Sequence, residues 1–161
     1  MITVRRTLAL FGLALALWPW SQAALAADRT AELAALHAAD DAWVAAYNAG
    51  RVEPIVQLYD RDAVIFAPGL RPLRGLAAIR AYLTKDDAQF VRSGLVYVLD
   101  GKRDGEVSGR LGWVSGHYLV KDKTGRIVDR GWYFSVSRLE HGHWLYVRDT
   151  WNSDPSSAAH P

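Results

Sequence analysis

Two aspartates carry the chemistry that this sequence offers most clearly. Asp149 stands in the stretch Val147-Arg148-Asp149-Thr150-Trp151-Asn152, where apolar and aromatic residues alternate with polar ones. Asp40 interrupts a stripe formed by Leu33, Leu36, Trp43 and Tyr47, whose steps of three and four residues put all five on one helix face. A carboxyl group among apolar neighbours is harder to ionise, so its pKa rises and it can exchange a proton near neutral pH. Two such groups facing one cavity would form an acid/base pair. Each has a quieter alternative. Arg130 could meet Asp149 across a hairpin and hold it ionised. Asp40 could sit at the helix edge in water, as its neighbour Asp41 could.

The residues around them suggest a lining. Trp43, Tyr47, Tyr59, Phe66, Tyr118, Trp132 and Trp151 are candidate aromatic contacts for a small apolar or aromatic molecule, with Arg130 and Asn152 as polar ones. Core packing is the alternative for each ring, and a strand-end cap for Asn152. His141-Gly142-His143 has chelate-like spacing, but it falls on a turn with only Glu140 beside it, so no metal is expected. The chain has no cysteine, which excludes thiol nucleophiles, disulfides and Cys-ligated metals. It also lacks a G-x-S-x-G elbow, a phosphate loop and a dinucleotide fingerprint, so no cofactor is expected.

Helices must position these residues in the first half, and strands in the second. The pattern predicts a helix over Asp28 to Asn48 with Asp28 as N-cap and Gly50 as stop, a short helix from Glu53-Pro54 to Tyr59, a strand over Ala63 to Ala67, and a helix after Gly75 in which Leu76, Ile79 and Leu83 share a face. Strands follow over Leu95 to Lys102, Arg110 to Lys121, Arg126 to Arg138 and His143 to Asn152, separated by turns at Asp104-Gly105, 123–125 and 140–142. The layout is α+β: three helices packed on one face of a curved, mainly antiparallel sheet.

Length and charge bound the rest. The 161 residues fit one domain. Arg5 and Arg6, the apolar run Thr7 to Trp20 and Ala24-Leu25-Ala26 read as a secretory signal over residues 1–26, too short for a comfortable membrane span. An uncleaved membrane anchor is the alternative. Cleavage after Ala26 would leave 135 residues in a periplasmic or secreted protein with no membrane attachment. The leader takes two of the 19 basic residues and none of the 17 acidic ones, so the formal +2 charge falls to zero. Without a basic patch, nucleic-acid binding is not expected. The domain would span 27–153, and the small polar tail 154–161 is expected to be disordered.

The order of elements resembles the NTF2-like cone fold, and the motifs are more specific. Leu58-Tyr59-Asp60-Arg61-Asp62-Ala63-Val64 is similar to that superfamily's "LY-x-x-DA-V" segment, and Gly75 to Tyr82 to its "G-x-x-AIR-x-Y" helix. Asp129-Arg130-Gly131 and the ending Trp144 to Asp154 resemble the SnoaL-like group called DUF4440. The resemblance covers about residues 30–154. It implies a cone with an inner pocket and an outer sheet face that often dimerises. It leaves activity open, because the superfamily holds ketosteroid isomerases, polyketide cyclases, scytalone dehydratase, dioxygenase small subunits and binders without catalysis.

Turn positions set an expected register. Pairing about the two later turns puts Val114, Gly116, Tyr118, Arg130, Trp132, Phe134, Leu145, Val147, Asp149 and Trp151 on one face, assigned to the interior. Trp113, His117, Tyr133, Ser135, Trp144, Tyr146 and Arg148 then fall on the outer face, which would suit a homodimer. With His117 outside, histidine-driven dehydration is not supported. Three functions fit this reading: an exported acid/base isomerase, cyclase or dehydratase of a small apolar carbonyl compound, resembling ketosteroid isomerase; a non-catalytic binder of a small hydrophobic ligand; or a dimeric interaction module of the cell envelope.

Overall fold

The computed structural model describes residues 18–155, with side chains from Arg29 onward. Most of the proposed leader and residues 156–161 of the tail lie outside the described residues. Helix α1 spans Trp18–Asn48, α2 Val52–Val56 and α3 Gly75–Arg92. Strands β1 (Tyr59–Phe66), β2 (Leu73–Arg74), β3 (Val96–Ser108), β4 (Leu111–Lys121), β5 (Ile127–Glu140) and β6 (His143–Ser153) form one curved, open sheet in the order β2-β1-β6-β5-β4-β3. Only the β1–β6 pairing is parallel. The α+β class and the three helices on one sheet match the sequence reading.

Several boundaries differ, each for a local reason. Helix α1 begins at Trp18, so Asp28 is an interior helical residue and not an N-cap; the alanine-rich 23–27 stretch continues the helix. The second helix ends at Val56, because Leu58 and Tyr59 are drawn into the sheet: the Tyr146 N–H donates to the Leu58 carbonyl at 2.8 Å, and Tyr59 pairs with Tyr146. Asp104-Gly105 lies within β3, which runs to Ser108. An irregularity between Asp100 and Asp104 shifts the β3 register, with Gly101 at φ +72° inside it.

The expected stripe on α1 is the buried one. Leu36 and Asp40 are almost fully covered, Tyr47 is buried and Trp43 partly so. Ile79 and Leu83 of α3 are also buried, packing with Ile55, Tyr59 and Ile65 into the main core. A second core joins Leu36 to Val107, Val114 and Trp144.

The inner face is where the expected register needs correction. Residues β4 112–120 and Asp149 and Trp151 of β6 face as expected, but β5 is turned over between them. Near the β4–β5 turn Lys121 pairs with Ile127, while from Val120 onward the pairing shifts by one (Val120 with Asp129, Gly116 with Tyr133), leaving Val128 as an extra residue. The β5–β6 turn is a two-residue loop, His141-Gly142, both at positive φ and closing at the Glu140–His143 pair. A second irregularity leaves Val147 unpaired between Tyr146 (opposite Ser137) and Arg148 (opposite Val136). Tyr133, Ser135, Trp144 and Tyr146 therefore point inward. Arg130, Trp132 and Phe134 point outward, with Trp132 and Phe134 over 40% exposed. One extra residue inverts every side chain beyond it, and alternation alone does not reveal where it sits.

Gly131 sets how closely β5 and β6 approach at their far end. A Cβ there would lie 1.9 Å from the Asn152 carbonyl oxygen, which belongs to backbone and cannot swing away. Gly131→Ala is expected to cost about 1–3 kcal/mol as the strands are forced apart. Urea denaturation checks this, and a midpoint equal to that of the parent would show that the strands separate there without strain.

Candidate functional site

The sheet and helices form an open-mouthed cavity of about 450 Å³, a size suited to a small molecule. Asp40, Trp43 and Tyr47 enter it from α1, Tyr59 from β1, Tyr118 from β4, and Asp149 and Trp151 from β6. Phe66, Arg130, Trp132 and Asn152 do not line it: all four are exposed, with Phe66 paired to Thr150 and Trp132 to Asn152 on the outer face. Residues not anticipated also reach the cavity, among them Tyr82 and Asp86 of α3, Tyr97 of β3, Asp129, Tyr133 and Ser135 of β5, and Tyr146 of β6. Those of β5 and Tyr146 were hidden by the register shifts. Tyr82 and Asp86 had a usable signal, since they are spaced i, i+4 beside the buried Ile79 and Leu83.

Asp149 lies opposite Ser135, so both point to the same side of the sheet. The Tyr59 hydroxyl donates to Asp149 Oδ2 at 2.5 Å, and Trp43 Nε1–H in turn donates to that hydroxyl at 3.2 Å. A strand, a helix and a neighbouring strand thus hold one carboxyl group in place. The alternative ion pair is not formed, since Arg130 points to the other face, and among the described residues no cation lies within ion-pairing distance of Asp149. Burial pushes the Asp149 carboxyl up to about 6, against the Tyr59 hydroxyl, which holds it down, while the Asp40 charge adds to the rise and the Thr150 backbone N–H opposes it. Tyr82, Tyr97 and Tyr146 face the same charge, and burial keeps all three phenols protonated.

Asp40 is inside, 3% exposed, and not in water at a helix edge. Its carboxylate accepts the Tyr146 hydroxyl at 2.6 Å and the Tyr133 hydroxyl at 3.0 Å. Arg103 stands 3.9 Å away, anchored to Asp41 at 2.9 Å and to the His37 carbonyl at 2.8 Å. Burial raises the Asp40 pKa, and the two hydroxyls and Arg103 restrain the rise. Asp40 and Asp149 thus share a cavity but differ in role: one is saturated by donors and near a cation, the other is uncompensated.

Two further aspartates repeat the pattern. Tyr47 donates to Asp86 at 2.7 Å, and Tyr118 to Asp129 at 3.3 Å. Ser135 is 2% exposed and lines the cavity, yet its hydroxyl has no hydrogen-bond partner. Among the described residues no group of three potential ligands is placed to hold a metal, and no helix is long and apolar enough to cross a membrane.

The comparisons with known proteins agree with this architecture. A family profile described as "SnoaL-like domain" matches residues 41–147. The structure is similar to an NTF2-like protein with a cystatin-like fold from Novosphingobium aromaticivorans (TM-score 0.71, 19% identity, 92% of this chain and 96% of that one). It is also similar to an NTF2-like protein of unknown function from Pseudomonas putida (TM-score 0.70, 15% identity, 81% and 93%). A ketosteroid isomerase-like protein from Erwinia carotovora shares the fold at TM-score 0.58 and 20% identity over 77% and 98% of the two chains. No curated protein matches the sequence.

The Asp149 environment predicts a pH-dependent stability. The folded carboxyl keeps its proton to about pH 6, whereas the unfolded chain releases it near 3.8. Its contribution is fully present below about pH 4 and is lost as pH rises through 6. Asp149→Asn keeps an acceptor for Tyr59 and removes the buried charge. At pH 8 the variant is expected to be more stable than the parent by on the order of 3 kcal/mol, with the gap closing below pH 4. Melting curves from pH 3 to 8 check this, and a gap independent of pH contradicts it.

Proposed function

This chain belongs to the SnoaL-like domain family, and from that premise we propose that it transfers a proton within a small apolar carbonyl compound, as an isomerase, cyclase or dehydratase. One observation carries the reading: Asp149 is a buried carboxyl at the wall of an aromatic cavity, held by a hydroxyl and answered by no cation. As a carboxylate it would remove a proton from carbon beside the carbonyl group. As the resulting acid it would return that proton to another atom of the same molecule, so no co-reactant is consumed. Ser135 Oγ–H, facing the same side, would donate to the oxygen on which negative charge develops. Asp40 would shape the field rather than react, because two phenols and Arg103 occupy it.

The likeness to a ketosteroid isomerase-like structure supports this chemistry without identifying the substrate. Saturation of Asp40 also favours a second reading, a binder without turnover, since it leaves one free carboxyl where a dyad would supply two. The leader favours export to the periplasm or beyond.

Conversion of 3-cyclohexen-1-one to its conjugated isomer, followed by ultraviolet absorbance, and deuterium exchange into cyclohexanone separate the two. Asp149→Asn is expected to lower either rate about 100-fold or more while the circular dichroism spectrum is unchanged. The parent's rate should rise with pH through about 6 as Asp149 ionises. A variant as fast as the parent removes Asp149 from the mechanism, and a parent without exchange on any carbonyl probe leaves the binder.

The outer sheet face supports a homodimer. Trp113 stacks on Phe134 at 5.9 Å, and His117 packs on Trp132, on a surface where Trp132, Phe134 and Phe66 are exposed. Sedimentation is expected to show a dimer that Phe134→Asp weakens at least tenfold, and a parent that stays monomeric at high concentration rejects it.

A further inference from the structure

We infer that the molecule taken into the cavity is an organic cation, an ammonium group carried on an apolar frame. The inference deepens the proton-transfer reading by assigning its carbonyl substrate a positive charge, and it rests on that reading only for the carbonyl group. Among the described residues, the cavity wall carries four carboxyl groups, Asp40, Asp86, Asp129 and Asp149, and no Lys, Arg or His. Of these four, Arg103 reaches only Asp40, from outside the lining, and among the described residues no ion pair reaches the other three. Each of the four instead accepts a tyrosine hydroxyl. A neutral donor satisfies a lone pair but leaves the negative charge standing.

The rest of the wall is aromatic, with ten ring-bearing side chains. Trp43 stacks on Tyr47 at 4.8 Å, Tyr97 stacks on Tyr118 at 5.0 Å, and the two pairs meet edge-to-face at 5.8 Å between Trp43 and Tyr97. Ring faces carry negative potential and attract cations within about 6 Å of the centroid. Ser135 points independently to a ligand with a polar group, because its hydroxyl is buried, lines the cavity and is unpartnered. Three carboxyl groups without a counter-ion and the ring faces favour positive charge, and the orphan hydroxyl favours a polar group on the same ligand. An anion would be repelled by the carboxylates, and a neutral hydrocarbon would leave the charges and Ser135 unanswered.

Calorimetric titration of the full chain at pH 7, where Asp149 is mostly ionised and the phenol probes keep their protons, tests this with three probes of similar size. These are the cation (4-hydroxyphenyl)trimethylammonium, its neutral isostere 4-tert-butylphenol, and the anion 4-hydroxybenzoate. The cation is expected to bind at least tenfold more tightly than the neutral isostere, and the anion not to bind. A neutral isostere or an anion binding as tightly, or no binding of the cation at millimolar concentration, overturns the inference. The outcome is independent of turnover. Proton exchange lost in Asp149→Asn with no cation preference would keep the reaction and reject the charged substrate, while cation preference without exchange would do the reverse.

Discussion

A tyrosine hydroxyl on an aspartate is the interaction on which this cavity depends. It occurs five times over, on four aspartates: Tyr59 on Asp149, Tyr133 and Tyr146 on Asp40, Tyr47 on Asp86, and Tyr118 on Asp129. Taking a carboxylate out of water without a partner is costly, and arginine or lysine is the usual compensation. Phenols do the same work with less neutralisation. They donate one strong hydrogen bond, contribute a large apolar ring, and stay protonated because burial beside a carboxylate drives their own pKa upward. The bonds also tie the elements together: α1 to β5, β6 and α3, and β1 to β6. The groups that shape the electrostatics are thereby the groups that hold the cone together.

The difference between Asp40 and Asp149 follows from how far this compensation goes. Asp40 takes two phenols and the distant field of Arg103, and so is firmly fixed. Asp149 takes one phenol and a backbone N–H, and its pKa stays near the range where a proton comes and goes. The same burial that makes the group useful makes its ionised form expensive to the fold.

Much of this was legible in the sequence, and the failures have a common cause. The helical spacing of Leu36, Asp40, Trp43 and Tyr47 identified the face of α1 that closes the cavity, and the alternation in β4 and the end of β6 placed Tyr118, Asp149 and Trp151 inward. Periodicity works there because the elements are regular. It failed for β5, where Trp132 and Arg130 were expected inside and Tyr133 and Ser135 are found. The extra residues at Val128 and Val147 look like ordinary valines in a β-rich run, and their backbone geometry is decided by strand pairing rather than by local propensity. The loss of the expected Arg130–Asp149 pair comes from that same inversion, which leaves Asp149 without a cation and held by the Tyr59 hydroxyl.

The two bulges have a consequence for how this domain can change over evolutionary time. Between them, β5 presents one row of side chains to the cavity and the other to the outside, and the choice is held by one surplus residue in β5, Val128, and one in its partner β6, Val147. A one-codon deletion at Val128 would return the strand to unbroken alternation and exchange the rows, sending Trp132 and Phe134 in and Tyr133 and Ser135 out. Point substitutions adjust the lining one group at a time, whereas a change of length rewrites it wholesale. Lineages carrying this fold are therefore expected to vary freely in lining chemistry but to keep strict spacing from Lys121 to Asp149.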